Sequence, residues 1–180
     1  MRFCLIAAAA VSALSIAAPA RAAGCNLGVA KPWVPFKGSA HRSEAYSNGV
    51  SCTGAVVTIV VRARGGQVLW TDAMPAAQLM TFVEAKTPAK MKAALVDWLD
   101  QPHTFKSSAD LPEWKKGAEA PEAGEFPFYP EAGVDHETYT QIRSEKQAMF
   151  CYVQGMESMA CVAIAKDGAA TKVGLQTFPG

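Results

Sequence analysis

The sequence lacks almost every pattern that announces a reaction. It has no Gly-x-Gly-x-x-Gly or phosphate-binding lysine loop, no His-Glu-x-x-His or His-x-His, and no Gly-x-Ser-x-Gly. His41, His103 and His136 stand alone, and the cysteines form neither a Cys-x-x-Cys redox pair nor a zinc-type set. Charge of one sign is missing too, with 17 Lys and Arg against 16 Asp and Glu in 180 residues. That balance provides no electrostatic footprint for nucleic acid and no polybasic membrane anchor. Sustained heptads and solenoid-length repeats are absent, as are bilayer-length apolar runs beyond the N-terminus. These gaps leave no marked nucleophile–base pair and no expected cofactor.

What is present begins at the N-terminus. Met1-Arg2-Phe3 puts one positive charge before an almost unbroken apolar run from Cys4 to Ala18, and Ala20-Arg21-Ala22 follows as a small-residue cleavage site. This is the pattern of a secretory signal peptide, expected to be removed at residue 22, with a cut after Ala20 as the close alternative. The run is short for an uncleaved anchor, so no transmembrane segment is expected after processing. Without Arg2 and Arg21, 15 basic residues face 16 acidic ones. Ala22-Ala23-Gly24-Cys25 invites a lipoprotein reading, but Ala22 stands where such signals carry Leu, and Arg21 adds a charge. The mature chain, 23–180, is expected to be one domain in the periplasm or outside the cell.

Cys4 leaves with the signal, and Cys25, Cys52, Cys151 and Cys161 remain. An even count in an exported chain favours two disulfides. The local pairings, Cys25–Cys52 and Cys151–Cys161, are preferred among the three possible. The second would cross a β-hairpin centred near Met156.

Residues 26–50, rich in Gly, Pro, Ser and Asn, read as an extended arm carrying Trp33, Val34 and Phe36. Residues 54–64 are β-branched and run into Gly65-Gly66, and 67–71 return. A two-residue turn there would set Ala63 against Val68, Val61 against Trp70 and Ile59 against Asp72. Val57, Ile59, Val61, Val68 and Trp70 would then share one apolar face, with Arg62 and Arg64 on the other. Asp72 is the odd member: either the strand ends by Thr71, or the carboxylate sits in apolar surroundings with a raised pKa.

Thr87-Pro88 opens a helix with Met91, Ala94, Leu95, Trp98 and Leu99 as its buried stripe, and Pro102 closes it. Asp135 caps a second helix running to about Lys146, with Tyr139 and Ile142 inward. Strands follow at 149–153, 159–165 and 170–178. The expected class is α+β: a mainly antiparallel sheet, built from N-terminal and C-terminal hairpins, with about two helices packed on one face.

Between the helices, 106–133 is a long Pro- and Gly-rich excursion too aromatic to be a bare linker. Trp114, Phe126, Phe128 and Tyr129 are its candidate binding surface, with Phe126 and Phe128 alternatively plugging the open side of the sheet. Met156 and Met159, with His136 as a more distant candidate, suggest a soft Cu(I) site at the hairpin tip, though alternation also lets Met159 serve the core. The functional expectation is a small exported binding or accessory protein, contacting an envelope protein or small ligand through 126–130 or 155–159. An envelope enzyme with a cleft beneath 106–133, using Asp72 or a loop Glu, is the alternative. A Cu(I) protein is a second.

Overall fold

The computed structural model describes residues 24–35, 40–100, 105–122 and 124–178. The expected signal segment, with Phe36, Pro102 and His103, lies outside the described residues. The fold is α+β, with two antiparallel four-stranded sheets and two helices. The first sheet has the order β1 (Leu27–Trp33), β2 (His41–Asn48), β3 (Val56–Arg62), β4 (Val68–Pro75). Helix α1 (Pro88–Asp100) follows, then β5 (Phe128–Pro130) and helix α2 (His136–Ser144). The second sheet joins β5 to β8 (Ala170–Thr177), β8 to β7 (Ser158–Ile164) and β7 to β6 (Ala148–Val153). No helix among the described residues is long and apolar enough to cross a membrane.

Residues 26–50 are not a loose arm but the first hairpin, β1 and β2. The sequence hid it because β2, His-Arg-Ser-Glu-Ala-Tyr-Ser-Asn, presents Ser43, Ala45 and Ser47 to the core in place of β-branched residues. Helix α1 packs over β1 and β2, and small side chains leave room for it. Pro32 is tolerated because β1 is an edge strand.

The β3–β4 turn also departs from expectation. Gly66 N donates to Ala63 O at 2.9 Å and Ala63 N to Gln67 O at 2.9 Å, with Gly66 at φ 87°. The loop is therefore three residues, Arg64 to Gly66, with glycine in the left-handed position that closes a bulged turn. The bulge shifts the register, so Val68 faces Arg62 and not Ala63, while Val61–Trp70 and Ile59–Asp72 stand as expected. β4 continues to Pro75, so Asp72 lies within a strand.

The inner face of the first sheet meets β6. Trp33 packs edge-on against Phe150 at 5.3 Å, and the Tyr152 hydroxyl accepts from Trp70 Nε1 (3.1 Å) and donates to Asp72 Oδ2 (2.7 Å). Burial, followed by the hydrogen bond to Asp72, pushes the Tyr152 phenol well above its ordinary pKa. Asp72 is thus held by a donor from the opposite sheet. Thr87 Oγ1 accepts from Lys90 N at 3.3 Å at the start of α1, whose buried stripe is Met91, Ala94, Leu95, Trp98 and Leu99. Trp98 docks the helix, with its ring edge-on to Phe82 at 5.2 Å and Nε1 donating to Val153 O at 2.8 Å. Helix α2 is capped by Asp135, whose Oδ1 accepts from Thr138 N at 2.8 Å.

Both local cysteine pairs are at disulfide distance. Cys25 and Cys52 have sulfurs 1.97 Å apart, and Cys151 and Cys161 face each other across β6 and β7 at 2.15 Å. The Cys25 sulfur that a lipid would need is engaged. The two loops span 27 and 10 residues. Restriction of the unfolded chain predicts a loss of about 3.5 kcal/mol for the Cys25→Ala, Cys52→Ala double variant and about 2.7 kcal/mol for Cys151→Ala, Cys161→Ala. Urea unfolding of the two variants measures this order; a reversed order would show that native packing outweighs loop entropy.

Candidate functional site

The excursion between the helices is clamped to α2. Tyr139 OH donates to Pro112 O (2.9 Å), Arg143 Nε donates to Leu111 O (2.9 Å), and His136 Nε2 lies 2.9 Å from Trp114 O. Leu111, Pro121 and Tyr139 are buried. Burial pushes the Tyr139 phenol far above its ordinary pKa. Ser108, buried in a 3-10 turn, donates to Ile142 O (2.6 Å) and accepts from Gln147 N (2.8 Å), so its hydroxyl is committed to structure.

The four candidate aromatics divide into two pairs. Phe128 is 3% exposed and packs between Phe105 (5.8 Å) and Tyr139 (6.1 Å). Trp114 is half-buried, edge-on to His136 and Tyr139 at 5.5 Å each, with Nε1 donating to Ala118 O. Phe126 and Tyr129 remain 43% and 55% exposed. One aromatic of the Phe126–Phe128 pair therefore fills the fold while the other faces solvent. Alternation along β5 turns Phe128 inward and Tyr129 outward.

The structure brings two separately expected surfaces together. Phe178 N donates to Glu157 O at 2.9 Å, tying the end of β8 to the β6–β7 tip, and Phe126 packs on Phe178 at 5.4 Å. A groove of 450 Å³ runs between them, lined by Pro127, Tyr129, Glu157, Ser158, Thr177 and Phe178. Met80 N donates to Gly155 O at 3.2 Å, which brings another exposed apolar residue to the tip. Glu125 and Glu157 are exposed at this surface and make no ion pair among the described residues.

The tip does not gather its methionines. Met156 is 51% exposed, whereas Met159 points into the core at 5%. His136 is engaged with Trp114 on α2. No group of three or more His, Cys, Asp or Glu suited to a metal occurs among the described residues.

A second feature escaped sequence reasoning. On the outer face of the first sheet, Glu44 is 1% exposed and its carboxylate is held by Arg42 at Oε1, Arg62 Nε at Oε2 (2.9 Å) and Tyr46 OH at Oε2 (2.7 Å). Burial pushes the carboxyl up, but the hydrogen bonds from Arg62 and Tyr46 and the charges of both arginines outweigh it. Its pKa is held below the ordinary value. Only the pairing of β2 with β3, which sets Arg42 opposite Arg62 beside Glu44, assembles this cluster. No family model, curated protein or solved structure matches the chain.

Proposed function

We propose that the chain is an exported protein of the periplasm or cell exterior that works by binding, with the Phe126–Tyr129 segment and the 155–157 tip forming one docking surface. The carrying observation is their convergence on the groove beside Phe178. The occupant is a partner protein that presents apolar side chains next to Lys or Arg. Exposed Phe126, Tyr129 and Met156 supply apolar area, while Glu125 and Glu157, exposed and without an ion pair among the described residues, supply complementary charge. Tyrosine and arginine make a frequent hot-spot pair at such surfaces. Two cysteine pairs at disulfide distance and the signal-like N-terminus support placement in an oxidising compartment.

The test is a photo-crosslinking residue at position 129 in cells, compared with one at Thr71 on the other sheet. One dominant adduct is expected from 129 alone, and Phe126→Ala is expected to remove most of it. With the partner purified, Tyr129→Ala should weaken affinity about tenfold, equivalent to about 1.4 kcal/mol. Equal labelling from both positions, or none from 129, would overturn the reading.

A further inference from the structure

A different groove, at the end of the first sheet, has cations as all of its charged lining residues, set among Ala30, Pro32, Ala40, Ala63 and Gly66. It encloses 360 Å³ where the end of β1, the start of β2 and the β3–β4 turn meet, and Lys31, His41, Arg42, Arg62 and Arg64 line it. Lys31 is paired with Asp100, and Arg42 and Arg62 share Glu44. Arg64 makes no ion pair among the described residues. Four cations thus stand against two carboxylates, one of them buried.

The buried carboxylate organises this charge without cancelling it. Glu44 engages one nitrogen of Arg42 and Nε of Arg62, and Gly66 O accepts from Arg62 Nη1 at 3.1 Å. A guanidinium has five N–H donors, so both forks keep free donors among the described residues, with Arg62 held at two points and the exposed Arg42 at one nitrogen. Fixing them before a ligand arrives lowers the ordering cost of binding. His41 Nδ1 is buried with no hydrogen-bond partner among the described residues, and the ring lies against Trp33 at 5.7 Å. Arg64 is exposed on the β3–β4 turn.

We propose that this groove binds a phosphate group carried on a small organic body, with Arg64 and the free donors of Arg42 and Arg62 as its ligands. Oxyanions with several acceptors match guanidinium forks, which bind phosphate through paired N–H bonds. A volume of 360 Å³ is at the small end of ligand pockets, about 300–1,000 Å³, and is roomy for bare phosphate. The phosphate could be that of a soluble ester or of a lipid headgroup. This site is separate from the aromatic docking surface, and its failure would leave that reading intact.

The experiment titrates the full chain, at low salt, with glycerol phosphate by calorimetry and with phosphatidylglycerol vesicles by co-sedimentation. Variant Arg64→Glu should retain the wild-type melting temperature and lose at least tenfold in affinity. Lys90→Glu, the same charge change at an exposed position on α1, should bind as wild type. Binding of glycerol phosphate supports a soluble ester, and binding of vesicles alone supports a lipid headgroup. Equal losses in the two variants would reduce the effect to net charge and overturn the proposal, as would binding of neither probe.

Discussion

Substituting Gly174 by alanine is expected to pull β5 off its sheet. A Cβ at Gly174 would lie 2.2 Å from Tyr129 O, 2.8 Å from Phe128 Cε1 and 2.9 Å from Pro130 Cα. Two of those three atoms belong to backbone, so no rotamer change relieves the overlap. β5 has three residues and pairs only with β8, which leaves it little to resist displacement. Its release exposes Phe128, worth about 2–3 kcal/mol of burial, and forfeits its pairing with β8. The expected loss is about 3 kcal/mol by urea unfolding. Amide exchange should rise at 128–130 while β6 and β7 stay protected, and crosslinking from position 129 should vanish. A variant with wild-type stability and unchanged crosslinking would show that β5 does not seat on Gly174.

The second large effect is electrostatic. Glu44, with its side chain 2% exposed, depends on Arg62, while Arg42 is more than half in water. Arg62→Ala leaves a buried carboxylate with Tyr46 and one exposed arginine, and should cost about 3 kcal/mol at neutral pH. Removing both partners, Glu44→Ala with Arg62→Ala, should cost less than Arg62→Ala alone, because no unpaired buried charge is left. The pH dependence carries the same signature. The folded-state pKa of Glu44 is depressed, so its contribution is full above the ordinary value of 4.5 and disappears as pH falls through the lower folded value. In Arg62→Ala the upward push of burial is less opposed and the depression shrinks. The gap between variant and wild type should therefore narrow on acidification below 4.5. A gap that stays constant with pH would mean Arg62 acts through packing alone.

These two sites mark how far the sequence could be read. Periodicity located α1 and α2 because each buries an apolar stripe, and β6 and β7 stood out as apolar runs bounded by turn residues, which also delimit β8. The cysteine pairing was legible because both bonds close short loops. The α+β class follows from those elements. The β1–β2 hairpin was missed because its core face is Ser43, Ala45 and Ser47, whose size answers to the helix lying over them. That helix contact is invisible in a local window. The miss carried a functional cost: without β2 as a strand, Arg42, Glu44 and Arg62 are scattered polar residues. The β3–β4 register erred by one residue near the turn, since a glycine pair fits a two-residue and a bulged three-residue loop alike. Of the four aromatics chosen, Phe126 and Tyr129 are on the surface and Phe128 is in the core. Composition selects aromatic residues, but only the pairing of β5 with β8 decides that Phe128 points inward and Tyr129 outward.

Both cysteine pairs join neighbours in the order of the chain, Cys25 to Cys52 and Cys151 to Cys161. A polypeptide delivered N-terminus first into an oxidising space presents its thiols in that order. An oxidant that joins each new thiol to the last one still free makes only native bonds. The first loop closes before the second pair emerges, and no later reshuffling is required. An isomerase should be dispensable where an oxidase is not.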